Sequence, residues 1–120
     1  MAIVVVAHLI ISLVHGMAHL TGGGFYDNIP RVLPEGLDVV IKSGSWAVPP
    51  VFEVIAREGR VSFEEMHRVF NMGVGMVVFV APADLGRVAQ LWRDANVNWN
   101  AVGNVRGKGS RRVVVEPEAT

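Results

Sequence analysis

One stretch of this chain concentrates the residues that could do chemistry: His19-Leu20-Thr21-Gly22-Gly23-Gly24, followed by Asn28 and Arg31. Three consecutive glycines break any regular element and let a ligand approach the backbone closely. Exposed amides where such a loop enters a helix form a natural anion site. Thr21 adds a hydroxyl and Asn28 an amide, and the Arg31 guanidinium suits two-pronged contact with phosphate. His19 abuts the loop, where a neutral imidazole could carry a proton near neutral pH. The bland alternative is a tight turn capped by threonine, and glycines alone favour it. The cluster of His19, Thr21, Asn28 and Arg31 around them favours a phosphate-bearing ligand. A second segment, Phe70-Asn71-Met72-Gly73-Val74-Gly75-Met76, places two glycines at the mouth of an apolar run. By pattern its structural reading leads, with Asn71 either capping a helix or reaching a ligand.

Other chemistries lack their residues. His15 and His19 share a face on a helix or a strand, but no carboxylate stands at metal spacing, so no metal site is expected. His8 reads as a packed residue and His67 as an exposed one. There is no Walker-type phosphate loop, no nucleophile elbow, no acidic cluster for magnesium and no cysteine.

These residues need elements to hold them. For Ala2–Leu13 periodicity does not separate a buried strand from a buried helix; the strand that follows at Val14–Leu20 and runs into the glycine loop favours the helix. Phe25–Arg31 reads as a short helical turn stopped near Pro30, and Leu37–Lys42 as a strand. Pro49-Pro50 opens a helix that Gly59 ends as a C-cap. Ser62 to Glu65 has capping-box spacing and starts the next helix, which carries Phe63, Met66, Val69 and Phe70. Gly73–Val80 reads as a strand. Pro82–Ala95 reads as a helix with Leu85, Val88, Leu91 and Trp92 on one face. Ala101–Arg106 and Arg111–Glu116 read as a β-hairpin around Gly107-Lys108-Gly109. Pro117–Thr120 is expected to fray. Alternating helices and strands give an α/β (α+β) class around one mixed sheet flanked by helices.

The 120 residues suit one domain; 51% are hydrophobic and 18% charged, ample for a core. Eleven basic residues balance eleven acidic ones, so nothing draws the chain to nucleic acid or an anionic membrane. The absence of cysteine fits a cytoplasmic location. Met1–Val14 is apolar but shorter than the ~20 residues a spanning helix needs. It reads as buried core and calls for cover, either from this chain or from a missing one, which leaves self-association or a partner chain open.

The same motifs resemble a known family. Gly16–Arg31 with Val32-Leu33-Pro34 is similar to the pattern G-x-A-H-I-T-G-G-G-x-x-E-N-I-P-R-x-L-P of aminoimidazole ribonucleotide (AIR) synthetases. Ser45-Trp46 with Val48-Pro49-Pro50-Val51-Phe52 resembles the next block. Glu64-Glu65-Met66, Arg68 and Phe70–Met76 resemble E-E-M-x-R-x-F-N-x-G-V-G-M, and Val102-Gly103 the closing strand. Asp27 stands in place of the usual glutamate, Met72 of a common cysteine and Asn104 of a common glutamate. The resemblance implies a carboxy-terminal domain over residues 1–120, truncated at its start, with the amino-terminal ATP-binding half absent. It implies a cyclo-ligase that converts formylglycinamidine ribonucleotide and ATP into AIR, ADP and phosphate. ATP and Mg2+ then serve the full enzyme, bound mainly outside this chain, and this chain alone holds no cofactor. The implied contacts with formylglycinamidine ribonucleotide, or another ribose phosphate, are Thr21, Gly22, Gly23, Gly24, Asn28, Arg31 and Asn71, with His19 as orienting group or proton carrier. The implied partners are a second copy or a missing amino-terminal half. The competing reading is a non-catalytic remnant or a stand-alone domain that binds a phosphate ligand.

Overall fold

The computed structural model describes residues 13–118. The helix expected over Ala2–Leu13, with His8, lies almost wholly outside the described residues, as does the chain end. The described elements are β1 (Val14–His19), α1 (Gly24–Asn28), β2 (Leu37–Lys42), α2 (Pro50–Gly59), α3 (Phe63–Val69), β3 (Met76–Val80), α4 (Leu85–Asp94), β4 (Gly103–Gly107) and β5 (Val113–Glu116). Helices and strands mix as expected, but the strands fall into two sheets: β1 with β3, and β4-β2-β5.

By internal contacts the chain forms two compact units. One comprises the described residues up to Met17 with Val78–Asn100; the other comprises Ala18–Val77 and the described residues from Ala101. In the first, a 3-10 turn at Pro82–Asp84 precedes α4, so the helix starts later than its proline suggests. Val88 and Ala89 are its buried residues, and Trp92 meets Trp99 with ring centroids 5.9 Å apart.

The second unit holds most of the core. β2 is its middle strand, and Val39, Val40 and Ile41 are all buried, which explains why the strand does not alternate. The expected β4–β5 hairpin does not form. β2 lies between the two strands, antiparallel to β4 (Val39 opposite Val105) and parallel to β5 (Val39 opposite Val113). The connecting loop crosses the start of β2 and is pinned there by Asp38. One carboxylate oxygen accepts Ser110 N–H at 2.9 Å and Arg112 N–H at 2.8 Å. These two bonds hold the Asp38 carboxyl below the usual carboxylate range.

Local signals are met with small shifts. The left-handed residue ending α2 is Arg60 (φ 52°), not Gly59. Arg60 N–H reaches Arg57 O and Val61 N–H reaches Ala56 O, the paired bonds of a Schellman end. Ser62 caps α3 by accepting Glu65 N–H at 3.2 Å. The Glu65 carboxylate does not return the bond; it lies 3.8 Å from Arg68. β3 begins at Met76, because Asn71–Gly73 is taken up by a turn.

Candidate functional site

The site begins where β1 ends. Ala18 and Leu20 are buried and His19 and Thr21 exposed, as strand alternation requires. Leu20 N–H donates to Gly75 O at 3.0 Å, so the two segments singled out in the sequence meet. Gly24 N–H turns back onto Thr21 O at 3.0 Å, closing the glycine run before α1.

The three glycines differ in their reasons. Gly24 has φ +54°, and a Cβ there would fall on the carbonyl oxygens of His67 and Phe70. Its missing side chain lets α1 pack on α3. Gly23 has φ +100°, and a Cβ would meet the Asp27 side chain at 2.7 Å. At Gly22 a Cβ would meet nothing within 4 Å. Packing therefore accounts for Gly24 and backbone conformation for Gly23, while Gly22 lies open. Among the described residues, the N–H groups of Gly22 and Gly23 donate to no internal acceptor. Backbone amides without an internal acceptor are donors of the kind that anion sites use.

Asn28 is 5% exposed and faces inward. Its amide donates to Gly24 O at 2.8 Å and lies 3.5 Å from the carbonyls of Thr21 and Gly22. Thr21 Oγ1 sits 3.5 Å from Asn28 Oδ1, at the outer limit of a hydrogen bond. Asn28 thus holds the Gly24 carbonyl firmly and those of Thr21 and Gly22 loosely from the buried side of the loop. Arg31 follows in a 3-10 turn, Pro30–Val32, where the expected helical turn continues past its proline. Arg31 is exposed and has no carboxylate partner among the described residues.

Asn71 accepts Gly73 N–H at 2.9 Å, a side-chain-closed turn. Met72 there adopts φ 53°, is 7% exposed, and accepts Trp46 Nε1–H through its carbonyl at 3.0 Å. A Cβ on Gly73 would meet Pro49 at 2.5 Å. This segment is built for packing, and it backs the loop through the Leu20–Gly75 bond.

His67, read as exposed, is 2% exposed. Its ring lies 4.3 Å from the Phe63 ring and 5.7 Å from Phe25. Nδ1 is 2.8 Å from Phe63 O, so Nδ1 carries the proton and donates. Nε2 is buried with no partner among the described residues. Burial holds the His67 pKa below its ordinary value; the bond to Phe63 pulls weakly the other way. The missed signal was spacing: Phe63, His67 and Phe70 stand four and three apart, on one helical stripe. Tyr26 on α1 was also missed. The Arg68 guanidinium lies 4.8 Å from its ring centroid. Partial burial first, then the charge of Glu64, raise the Tyr26 pKa.

Among the described residues, no three His, Cys, Asp or Glu side chains gather where they could hold a metal ion. No helix among the described residues is long and apolar enough to cross a membrane.

Comparison with known proteins gives this arrangement its setting. Residues 2–116 match the family described as AIR synthase related protein, C-terminal domain. The phosphoribosylformylglycinamidine cyclo-ligase of Bifidobacterium animalis subsp. lactis is 47% identical over 102 residues, covering 85% of this chain and 30% of that protein. The protein of the same name from Nitrosospira multiformis is 50% identical over 94 residues, covering 78% of this chain and 26% of that protein. That from Bacillus pumilus is 58% identical over 72 residues, covering 60% of this chain and 21% of that protein. The chain spans less than a third of the length of these curated relatives. With the family pattern matched from near its first residue to Glu116, this chain belongs to the AIR synthase related proteins and represents their C-terminal domain.

Proposed function

We propose that this chain supplies the substrate-side part of a phosphoribosylformylglycinamidine cyclo-ligase, holding the ribose phosphate of formylglycinamidine ribonucleotide. The observation that carries the reading is the glycine loop. Gly22 and Gly23 present N–H groups without an acceptor among the described residues, beside exposed Thr21 and just ahead of exposed Arg31. Amide donors with a nearby guanidinium are the chemistry of a phosphate cradle. Asn28 and Gly24 shape that cradle, Asn28 by holding the Gly24 carbonyl from the buried side and Gly24 by letting α1 sit on α3. Asn71 supports the loop from behind. His19, exposed at the end of β1, orients the substrate or carries a proton during ring closure.

In this reading the product is AIR, with ATP converted to ADP and phosphate. Residues 1–120 are then part of one carboxy-terminal domain of a cytoplasmic enzyme. ATP and Mg2+ are then bound mainly outside these 120 residues.

The experiment is direct. The chain is mixed with formylglycinamidine ribonucleotide, ATP and magnesium, with and without a separately expressed amino-terminal half of a related cyclo-ligase. Expected are no AIR from the chain alone and AIR from the mixture. Product from the chain alone would refute the assignment of the nucleotide site; a silent mixture with tight phosphate binding would favour the stand-alone binding domain. In a full-length cyclo-ligase carrying these residues, His19→Ala should lower kcat more than it raises KM. Unchanged turnover would remove His19 from the chemistry.

A further inference from the structure

β4 (Gly103–Gly107) is an outer strand of the β4-β2-β5 sheet, and all of its residues are exposed. Its backbone has an inner and an outer row. Lys42 N–H donates across to Val102 O at 2.8 Å, whereas Val39 N–H turns to the other neighbouring strand, at Arg112 O. Hydrogen-bonded pairs alternate along an antiparallel ladder, so Asn104 and Arg106, opposite Val40 and Asp38, turn their backbone groups to β2. Gly103, Val105 and Gly107 turn theirs outward, and among the described residues no backbone group bonds to them. The opposite edge differs, because α1 packs against β5. β4 also lacks a common guard of free edges: it holds no proline, and Arg106 is its one charge.

An open row of donors and acceptors takes up a strand, and the sequence fits one occupant. Laid antiparallel on itself about Val105, β4 sets Gly103 against Gly107, Val105 against Val105 and Asn104 against Arg106. The outward residues sit symmetrically about that two-fold axis, so each exchanges a pair of bonds, about six in all. The glycines bring no side chains to the crossing. Val105, 44% exposed, covers its own copy. Arg106 meets an amide, whereas the next register toward Lys108 would oppose Arg106 to Arg106. We infer that a second copy of this chain docks here, β4 pairing antiparallel with its own counterpart and joining two three-stranded sheets into one. Such a contact is isologous and closes at two copies. One short strand per copy is a small interface, so the dimer is of the weak, concentration-dependent kind. The inference does not rest on the phosphate cradle.

Amide hydrogen exchange followed by NMR, on the full chain from about 50 µM to about 1 mM, reads the two rows separately. The Asn104 and Arg106 amides should be protected throughout, and the Val105 and Gly107 amides should gain protection as concentration rises. Sedimentation reads the association itself. Asn104→Glu opposes a carboxylate to Arg106 on both sides of the axis and should tighten the dimer about fivefold; Asn104→Lys should weaken it about fivefold. Val105→Pro removes an N–H that β2 does not use and should weaken the dimer about tenfold or more. Val105 and Gly107 amides that exchange freely at every concentration would overturn the inference. Equal protection at every concentration would do the same, since another segment of the same chain would then hold this edge. Association indifferent to the charge at position 104 would place the contact elsewhere and overturn it too. If Val105→Pro does not fold, the exchange pattern and the two Asn104 variants still decide.

Discussion

Two glycine-bearing loops of this protein look alike in composition and differ in what their amides do. Thr21–Gly24 is followed by Arg31, and Gly107–Arg112 contains Lys108, Arg111 and Arg112. In the second loop the protein has supplied its own anion. Asp38 takes the N–H groups of Ser110 and Arg112, and a Cβ at Gly109 would fall on its carboxylate. In the first loop the N–H groups of Gly22 and Gly23 have no acceptor among the described residues, and the buried Asn28 donates to the Gly24 carbonyl. Asp27 comes close, packing where a Gly23 side chain would be, without taking that amide. Glycine and positive charge therefore do not by themselves make a ligand site. What separates the loops is whether a carboxylate of the chain has already filled the donors.

The contrast can be broken most severely at Gly24. Gly24→Ala combines φ +54° with overlap on two carbonyl oxygens of α3. A loss of about 3 kcal/mol or more in urea unfolding is expected. Gly22→Ala, with open space around it, should stay within about 0.5 kcal/mol of the parent in the same assay. Equal losses would mean that the loop acts as one structural turn and that Gly22 is not set apart for a ligand. Next comes Arg31→Ala, which should weaken ribose monophosphate binding by about 1.5–3 kcal/mol, as for a hydrogen bond to a charged group. Calorimetric titration showing unchanged affinity would leave the first loop no more a ligand site than the second.

The smallest effect expected comes from His67, whose carbonyl packs where a Gly24 side chain would be. Its folded pKa lies below the 6.5 of the unfolded chain, with burial as the main cause. The unfolded state therefore binds the proton first. The contribution of neutral His67 is complete above pH 6.5 and is lost as pH falls from there through the folded value. Urea midpoints measured at stepped pH should decline over that window in the parent and decline less in His67→Phe. Parallel curves would show that the buried imidazole does not couple acid to the packing of α1 on α3.

Much of the fold was legible because its causes are local. Ser62 three residues before Glu65 announces a helix start, and the β-branched run Leu37–Lys42 announces a strand. The break at Thr21–Gly24 was legible because three glycines in a row interrupt any regular element. The hairpin reading failed for a physical reason. Turn-forming residues between two strand-like runs state that the chain reverses, but not whether a third strand enters between the arms. That insertion rests on the Asp38 bonds to Ser110 and Arg112, 72 and 74 residues away. His67 failed differently, since its stripe position could be counted while polarity argued for exposure.

By itself, then, the sequence determined the α/β class, the element types and the residues of the glycine loop, because periodicity, capping and side-chain chemistry act over a few neighbours. Only the tertiary structure decided that Gly24 serves packing, that Asn28 faces inward, and that Asp38 fills one loop while the Gly22 and Gly23 amides find no acceptor among the described residues. Those outcomes depend on which distant groups compete for the same backbone donors, and pairing across space is not written in local pattern.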